Sequence, residues 1–128
     1  MEIWYNPACS KCRTAAQRLE VAGLDVGIRR YLDDPPSAEE FDAVLRRLGR
    51  QPWDIARLAE PVAERLGLAE WPREDAARAR WIDAMVANPV LIQRPILLFD
   101  DGGAVIGRTP EALEQAVGGA DGPTTGSS

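Results

Sequence analysis

The stretch "EIWYNPACSKC", Glu2–Cys12, decides the fold, because it runs from a short apolar segment through a turn to a pair of cysteines. The letters EIWY predict a buried strand, and the Asn-Pro pair after them is a turn signal that ends it. From Ser10 onward small and apolar residues recur with helical spacing, and Gly23 is a typical helix-ending residue. The sequence therefore places Cys9 in the loop before a helix and Cys12 in the first turn of that helix.

The remaining chain predicts a second strand, a helical middle, a strand hairpin and a last helix. These elements are the strand 25–31, the helix that begins at the capping box of Ser37 and Glu40 and ends at Gly49, helical segments throughout 52–87, the hairpin strands 95–99 and 104–107, and the helix that Thr109 caps and Gly118 ends. With a CxxC motif directly after the first strand, this order predicts an α/β protein with a thioredoxin-like fold and a helical insertion between the second and third strands. The first crossover is expected to be right-handed, so that the first two strands pair in parallel.

We expect a single domain over residues 1–118, since a chain of 128 residues suits one hydrophobic core. The helical insertion, about residues 37–88, is too short to be an independent domain and is expected to cap one end of the sheet. Residues 119–128 contain no large apolar side chain, which predicts a flexible tail.

Charge and composition narrow the possible functions. The net charge of −5, with no basic stripe, argues against direct binding of nucleic acid. No apolar run approaches the roughly 20 residues of a membrane span, so we expect no membrane binding. The opening residues have no signal-like apolar region, so we expect a cytoplasmic protein. A monomer is the simplest expectation for its oligomeric state. In the cytoplasm a cysteine pair is more often catalytic or metal-binding than structural. Two thiolates without a histidine leave a tetrahedral zinc site incomplete, so no metal is expected.

The two cysteines need a source of activation, because the chain has no histidine to act as a base. At the start of a helix, Cys9 would face free backbone N–H groups and the positive end of the helix dipole, which favour the thiolate. Arg13 and Lys11 are close enough in sequence to add positive charge, and Asn6 in the same loop is a supporting candidate. The alternative for Cys9 is an inert buried thiol. Cys12 is either a core-facing member of the helix or a resolving thiol for a disulfide formed at Cys9.

The segment "NPACSKCR" after the first strand resembles the active-site loop of glutaredoxin-coupled arsenate reductases, a family with Spx-type and YffB-like relatives. The resemblance continues through "YLDDPPSAEE", "IARLAEPVAERLGLAE", "NPVLIQRPILL" and "GRTPEAL" and reaches about Val117. Several motifs in the same order are far more specific than a CxxC alone. This resemblance again implies a thioredoxin-like fold with a helical insert.

The resemblance also implies a set of site residues. The catalytic cysteine corresponds to Cys9, and three arginines that grip an oxyanion correspond to Arg57 in "IAR", Arg94 in "QRPI" and Arg108 in "IGRTPE". Planar guanidinium groups suit this role, because they stay charged and donate two parallel hydrogen bonds. The alternative for each arginine is a solvated surface residue. Pro95 resembles the proline beside the active-site cysteine of thioredoxin-like folds, which implies a cis Arg94–Pro95 bond.

The mechanism that the resemblance implies is nucleophilic. The Cys9 thiolate attacks arsenate and forms a thiolate–arsenic adduct, and a small thiol such as glutathione then reduces the arsenic and leaves a mixed disulfide on Cys9. A glutaredoxin-like carrier clears that disulfide, and no metal or bound cofactor is needed.

Cys12 is a departure from these reductases, which commonly lack a second cysteine at its position. A CxxC motif here resembles the Spx-type regulators, which use the pair as a redox switch and bind RNA polymerase. A Cys9–Cys12 disulfide would also change the electron donor to a thioredoxin-like carrier. Arg108 in "GRTPE" and the absence of a basic tail favour an arsenate reductase. A general thiol-disulfide oxidoreductase is the third possibility, because the fold alone would serve it equally well.

Overall fold

The computed structural model describes the backbone of residues 1–121 and the side chains of residues 1–117. The chain divides into two compact units. The sheet unit comprises residues 1–31 together with the described residues from Arg94 onward, and the insert unit comprises Leu32–Gln93. The predicted helical insertion, about residues 37–88, lies inside the insert unit.

The sheet unit contains a four-stranded sheet of order β2-β1-β3-β4. Its strands are β1 (Glu2–Trp4), β2 (Gly27–Arg29), β3 (Ile96–Leu98) and β4 (Ala104–Ile106). The first two strands pair in parallel, β1 and β3 pair antiparallel, and β3 and β4 form the predicted hairpin. This arrangement confirms the predicted α/β thioredoxin-like class and the parallel first crossover.

The helices, in chain order, are α1 (Ser10–Val21), α2 (Ala38–Leu48), α3 (Pro61–Leu66), α4 (Arg78–Ala87) and α5 (Pro110–Asp121). In the sheet unit α1 and α5 pack together and share an apolar core with the sheet. The buried members of that core are Ile3, Ala15, Leu19, Leu97, Leu113 and Ala116. The loops that carry functional residues are therefore attached to a fixed sheet and helix pair.

The last helix begins as predicted but ends later. Thr109 caps α5, because its hydroxyl oxygen accepts a hydrogen bond from the backbone N–H of Ala112 at 3.1 Å. The prediction that this helix ends at Gly118 is wrong, since α5 extends to Asp121. A glycine weakens a helix by about 1 kcal/mol relative to alanine but leaves its hydrogen bonds possible. Residues 119–121 of the predicted tail thus continue the helix, and residues 122–128 lie outside the described part of the chain.

The insert unit is built around α2 and α4, which pack against each other. The Ser37 hydroxyl accepts a hydrogen bond from the Glu40 N–H at 3.1 Å, and Gly49 ends α2 with a φ of 67°. Short 3-10 turns connect the helices, at Pro52–Asp54, Leu68–Glu70, Asp75–Ala77 and Pro89–Leu91. Across the described helices, none combines the length and apolar character that a membrane span requires.

The prediction that residues 52–87 are helical throughout is wrong between the turn at Pro52 and α3. There Ala56 and Ile92 form an isolated antiparallel bridge. The N–H of Arg57 donates to the carbonyl of Leu91 at 2.7 Å, and the N–H of Gln93 donates to that of Ile55 at 3.0 Å. Pro61 at the first position of α3 disfavours helical geometry in the residue before it. The hydrogen bonds of the bridge, rather than helical ones, satisfy the Arg57 N–H and the Ile55 carbonyl.

Candidate active site

The loop before α1 holds Cys9 at the helix N-cap, as the sequence predicted. Cys9 is extended, with φ −96° and ψ 120°. Its N–H donates to the Asn6 carbonyl at 2.9 Å, and its carbonyl accepts from the N–H of Arg13 at 3.1 Å. The Asn6 side chain, only 9% exposed, accepts a hydrogen bond from the Ala8 N–H at 3.0 Å. Asn6 therefore shapes the loop by closing a turn on itself.

The sulfur of Cys9 lies in a setting that favours the thiolate. Burial opposes ionisation, but backbone N–H groups of Cys12 and Lys11, the Arg94 guanidinium and the Cys12 thiol all interact with this sulfur. Together they lower the pKa of Cys9 from 9.0 to about 7. The lowered pKa makes the thiolate accessible near neutral pH without any imidazole.

The sequence suggested Arg13 and Lys11 as sources of positive charge. The Arg13 guanidinium instead donates to the Pro7 carbonyl at 2.8 Å and so holds the loop from the outside. Lys11 acts on the Cys9 sulfur through its backbone N–H. The guanidinium that bonds to the sulfur is that of Arg94, which comes from a distant part of the sequence.

Arg94 precedes β3, and its peptide bond to Pro95 is cis, as predicted. The Nε and Nη1 atoms of Arg94 are buried and have no hydrogen-bond partner among the described residues. Burial opposes the charge of this guanidinium, but the sulfur of Cys9 and the charge of Tyr31 raise the pKa of Arg94. A buried donor without a partner costs about 1–3 kcal/mol. Two such donors on a charged group are suited to the oxygen atoms of an anion.

Arg108 lies against the backbone of Arg94. Its Nη1 donates to the Arg94 carbonyl at 2.7 Å, and the N–H of the preceding Gly107 donates to the Pro95 carbonyl at 2.9 Å. A Cβ atom at Gly107 would approach the Leu97 side chain to 3.0 Å, so this close passage of the loop after β4 favours glycine. Within the sheet unit, Arg94 thus contacts two other predicted residues, Cys9 through its guanidinium and Arg108 through its backbone carbonyl.

Arg57 belongs to the insert unit. Its guanidinium forms an ion pair with Glu60 at 3.1 Å, and its side chain is 25% exposed. The bridge between Ala56 and Ile92 fixes the backbone at this position. Its part in binding an oxyanion stays a prediction.

Tyr31 is a site residue that the sequence reasoning missed. It is fully buried, stacks on Trp4 with ring centroids 6.2 Å apart, and contributes to the raised pKa of Arg94. The sequence analysis assigned Tyr31 no role in the site and placed it at the end of the predicted second strand, 25–31. Because β1 and β2 are parallel, the residues that follow both strands meet at one edge of the sheet, and that edge is where the Cys9 loop begins. A polar aromatic residue directly after β2 therefore indicated a side chain close to the Cys9 loop.

Cys12 is the third residue of α1 and is fully buried. Burial, its hydrogen bond with the Cys9 sulfur and the negative charge of Cys9 raise the pKa of Cys12 to about 11. Both cysteines are free thiols. Among the described residues, no three His, Cys, Asp or Glu side chains are grouped as a metal site would need.

The fold and the site define a thioredoxin-like protein in which a cysteine of lowered pKa lies beside an arginine. The chain belongs to the ArsC family, whose profile matches residues 4–116. It is 56% identical to an uncharacterized protein in the glnII region of Streptomyces viridochromogenes, over 91% of this chain and 98% of that protein. It is 33% identical to an arsenate reductase of Neisseria meningitidis, over 89% and 95% of the two chains. The solved structure of an arsenate reductase from Vibrio cholerae, 34% identical, superposes with a TM-score of 0.78 over 89% of this chain and 97% of that one.

Proposed function

We propose that this protein is an arsenate reductase in which the Cys9 thiolate is the nucleophile. Membership of the ArsC family and the arsenate reductases among its relatives support the substrate. The observation that carries the proposal is the Arg94 guanidinium, which contacts the Cys9 sulfur and keeps two buried donors without a partner among the described residues. Such a donor would bind an oxygen of an oxyanion whose central atom lies close to the sulfur.

Binding of the oxyanion would combine charge and geometry. Arsenate carries about two negative charges near neutral pH, which suits a guanidinium group that stays charged and still has N–H donors to offer. Arg108 adds positive charge beside Arg94 and fixes the carbonyl of that residue. Arg57, which the family resemblance implies as a third arginine, would add a further contact from the insert unit.

Reaction begins when the Cys9 thiolate attacks arsenic. A sulfur–arsenic bond forms, and one arsenate oxygen leaves as water after it gains protons. Before the attack, the N–H groups at the start of α1 stabilise the negative charge of the free thiolate. A second thiol then attacks the Cys9 sulfur, the sulfur–arsenic bond breaks, and its electron pair reduces As(V) to As(III).

Arsenate-dependent thiol oxidation tests this function. Cys9→Ser should abolish turnover, and Arg94→Ala should lower kcat/KM for arsenate by about 100-fold or more, a typical loss for a donor aimed at a reacting oxyanion. Arg94→Lys keeps the charge but loses the planar pair of donors, so it should also be impaired. Arg65→Ala, an exposed arginine of the insert unit, is the matched control and should be unaffected.

The same variants separate this function from general disulfide exchange. Simple exchange needs the Cys9 thiolate but no oxyanion site, so Arg94→Lys should retain reduction of a small mixed disulfide while it loses arsenate turnover. Equal loss of both activities, or full arsenate turnover in Arg94→Lys, would contradict the proposal. Turnover that survives in Cys9→Ser would reject it outright.

A further inference from the structure

The two sulfurs occupy unequal positions at the start of α1. Cys9 is the N-cap and is 8% exposed, whereas Cys12 is the third helical residue and is 0% exposed. The two thiols share a hydrogen bond. A molecule from solution can therefore reach the sulfur of Cys9 but not that of Cys12, and the natural reaction partner of Cys12 is a group already attached to Cys9.

We propose that Cys12 is the resolving thiol of the reductase, so that the reduced cysteine pair itself supplies both electrons for the reduction of arsenate. This inference rests on the proposed function and specifies its reductant. After Cys9 has bonded to arsenic, the Cys12 thiolate attacks the Cys9 sulfur. A Cys9–Cys12 disulfide forms, the sulfur–arsenic bond breaks, and its electron pair converts As(V) to As(III). Arsenite leaves with the proton that Cys12 gave up, and the two cysteines together have lost two electrons.

The groups around Cys12 explain why Cys9 reacts first and Cys12 second. While Cys9 is a free thiolate, burial first of all, and with it the hydrogen bond and the charge of Cys9, keep the Cys12 thiol protonated. Once Cys9 is bonded to arsenic, that charge is gone, and both of its contributions to the raised pKa of Cys12 disappear. The Asn6 backbone N–H and the charge of Arg94 remain, and both lower the pKa of Cys12. Burial still opposes ionisation of Cys12, but its thiol loses a proton more readily after Cys9 has reacted than before, which favours attack at that stage.

The same geometry selects the class of electron donor. An external thiol can attack only the Cys9 sulfur of the disulfide, which gives a mixed disulfide and frees Cys12. With a monothiol such as glutathione, the freed Cys12 lies beside that mixed disulfide and can reverse the step. A protein dithiol closes its own disulfide and departs, which completes the reduction. We therefore assign recycling to a dithiol carrier of the thioredoxin class.

A single-turnover experiment tests the inference. The protein is reduced, freed of all small thiols and mixed with arsenate alone. Wild type should release one arsenite per chain, and its mass should fall by two hydrogen atoms, with the disulfide mapped to Cys9 and Cys12. Cys12→Ser should release no arsenite under these conditions but should regain turnover when glutathione is added, because an external thiol then replaces Cys12.

The possible failures are distinguishable. If wild type releases arsenite only with added glutathione and ends as a Cys9 mixed disulfide, the resolving role is wrong and the arsenate reductase remains. If wild type releases no arsenite with glutathione or with a dithiol carrier, the proposed function fails and this inference fails with it. The mass measurement on wild type needs no variant, so it decides the question even if Cys12→Ser folds poorly.

Discussion

At Cys9 two opposing effects act on one sulfur atom. Burial favours the neutral thiol, whereas helix-start N–H groups and the Arg94 guanidinium favour the thiolate, and the second set prevails because the pKa falls to about 7. At Cys12, one helical turn away, burial and the neighbouring charge act in the same direction, and the pKa rises to about 11. Two chemically identical side chains thus receive different roles from their positions.

The lowered pKa of Cys9 predicts the pH dependence of its alkylation. Only the thiolate reacts with iodoacetamide, so the rate should rise with pH, pass its midpoint at about pH 7 and level off above it. In Arg94→Gln the midpoint should move upward, toward the ordinary value of 9.0, since a hydrogen-bonded charge is lost. The rate is followed by mass spectrometry of the peptide that contains Cys9.

Cys9→Ser is the control for this profile, because it leaves only the buried Cys12, which should react slowly across the same pH range. A wild-type midpoint near 9, or an unchanged midpoint in Arg94→Gln, would contradict the assignment of Arg94 as the cation that activates the sulfur.

At the scale of elements, the site depends on where helices and strands begin. The strand β1, the start of α1 and the hairpin of β3 and β4 were predictable, because apolar runs, turn residues and caps are local signals. The bridge between Ala56 and Ile92 was not, since its partners are far apart in sequence and short apolar runs do not distinguish a helix from a strand. The same limit applies to Tyr31, whose proximity to Arg94 follows from strand order.

Packing of α2 on α4 in the insert unit gives a prediction for stability. The Asp42 carboxylate bonds to the guanidinium of Arg78 on α4 and to Arg46 at 3.2 Å, and Arg78 also donates to Gln51 at 3.0 Å. Asp42→Asn removes this charge pairing while it keeps the shape of the side chain. The free energy of unfolding, measured with urea at pH 7, should fall by roughly 1 kcal/mol.

The sign of the pH effect follows from the hydrogen bond with Arg78, which, more than any other contact, lowers the pKa of Asp42 below its usual 3.8. The stabilisation is therefore fully present above pH 3.8 and is lost as the pH falls from there through the lowered pKa. The difference in the free energy of unfolding between wild type and Asp42→Asn should therefore disappear at acidic pH. Asp83→Asn, at an exposed position of α4, is the matched control and should change little. A gap that persists unchanged at pH 3, or is absent at pH 7, would contradict this account.

For the molecule as a whole, the sequence pattern predicted the fold class and the position of Cys9, and the resemblance to a family implied the cis bond before Pro95. The pattern could not show from spacing that Arg94 contacts the Cys9 sulfur or that Arg108 bonds to the Arg94 carbonyl, because Cys9 and Arg94 are far apart in the sequence and the loop after β4 decides where Arg108 lies. That part came from the resemblance to a family. The end of α5 was mispredicted for a physical reason, since glycine lowers helix stability without forbidding the helix.

The central claim is that Cys9 and Arg94 form one oxyanion site. The most direct test is a calorimetric titration of arsenate into Cys9→Ser, which removes the thiolate chemistry and leaves binding alone. We predict saturable binding at one site per chain, and loss of that binding in the double variant Cys9→Ser with Arg94→Ala. Absence of saturable binding in Cys9→Ser, or equal binding in both proteins, would contradict the account.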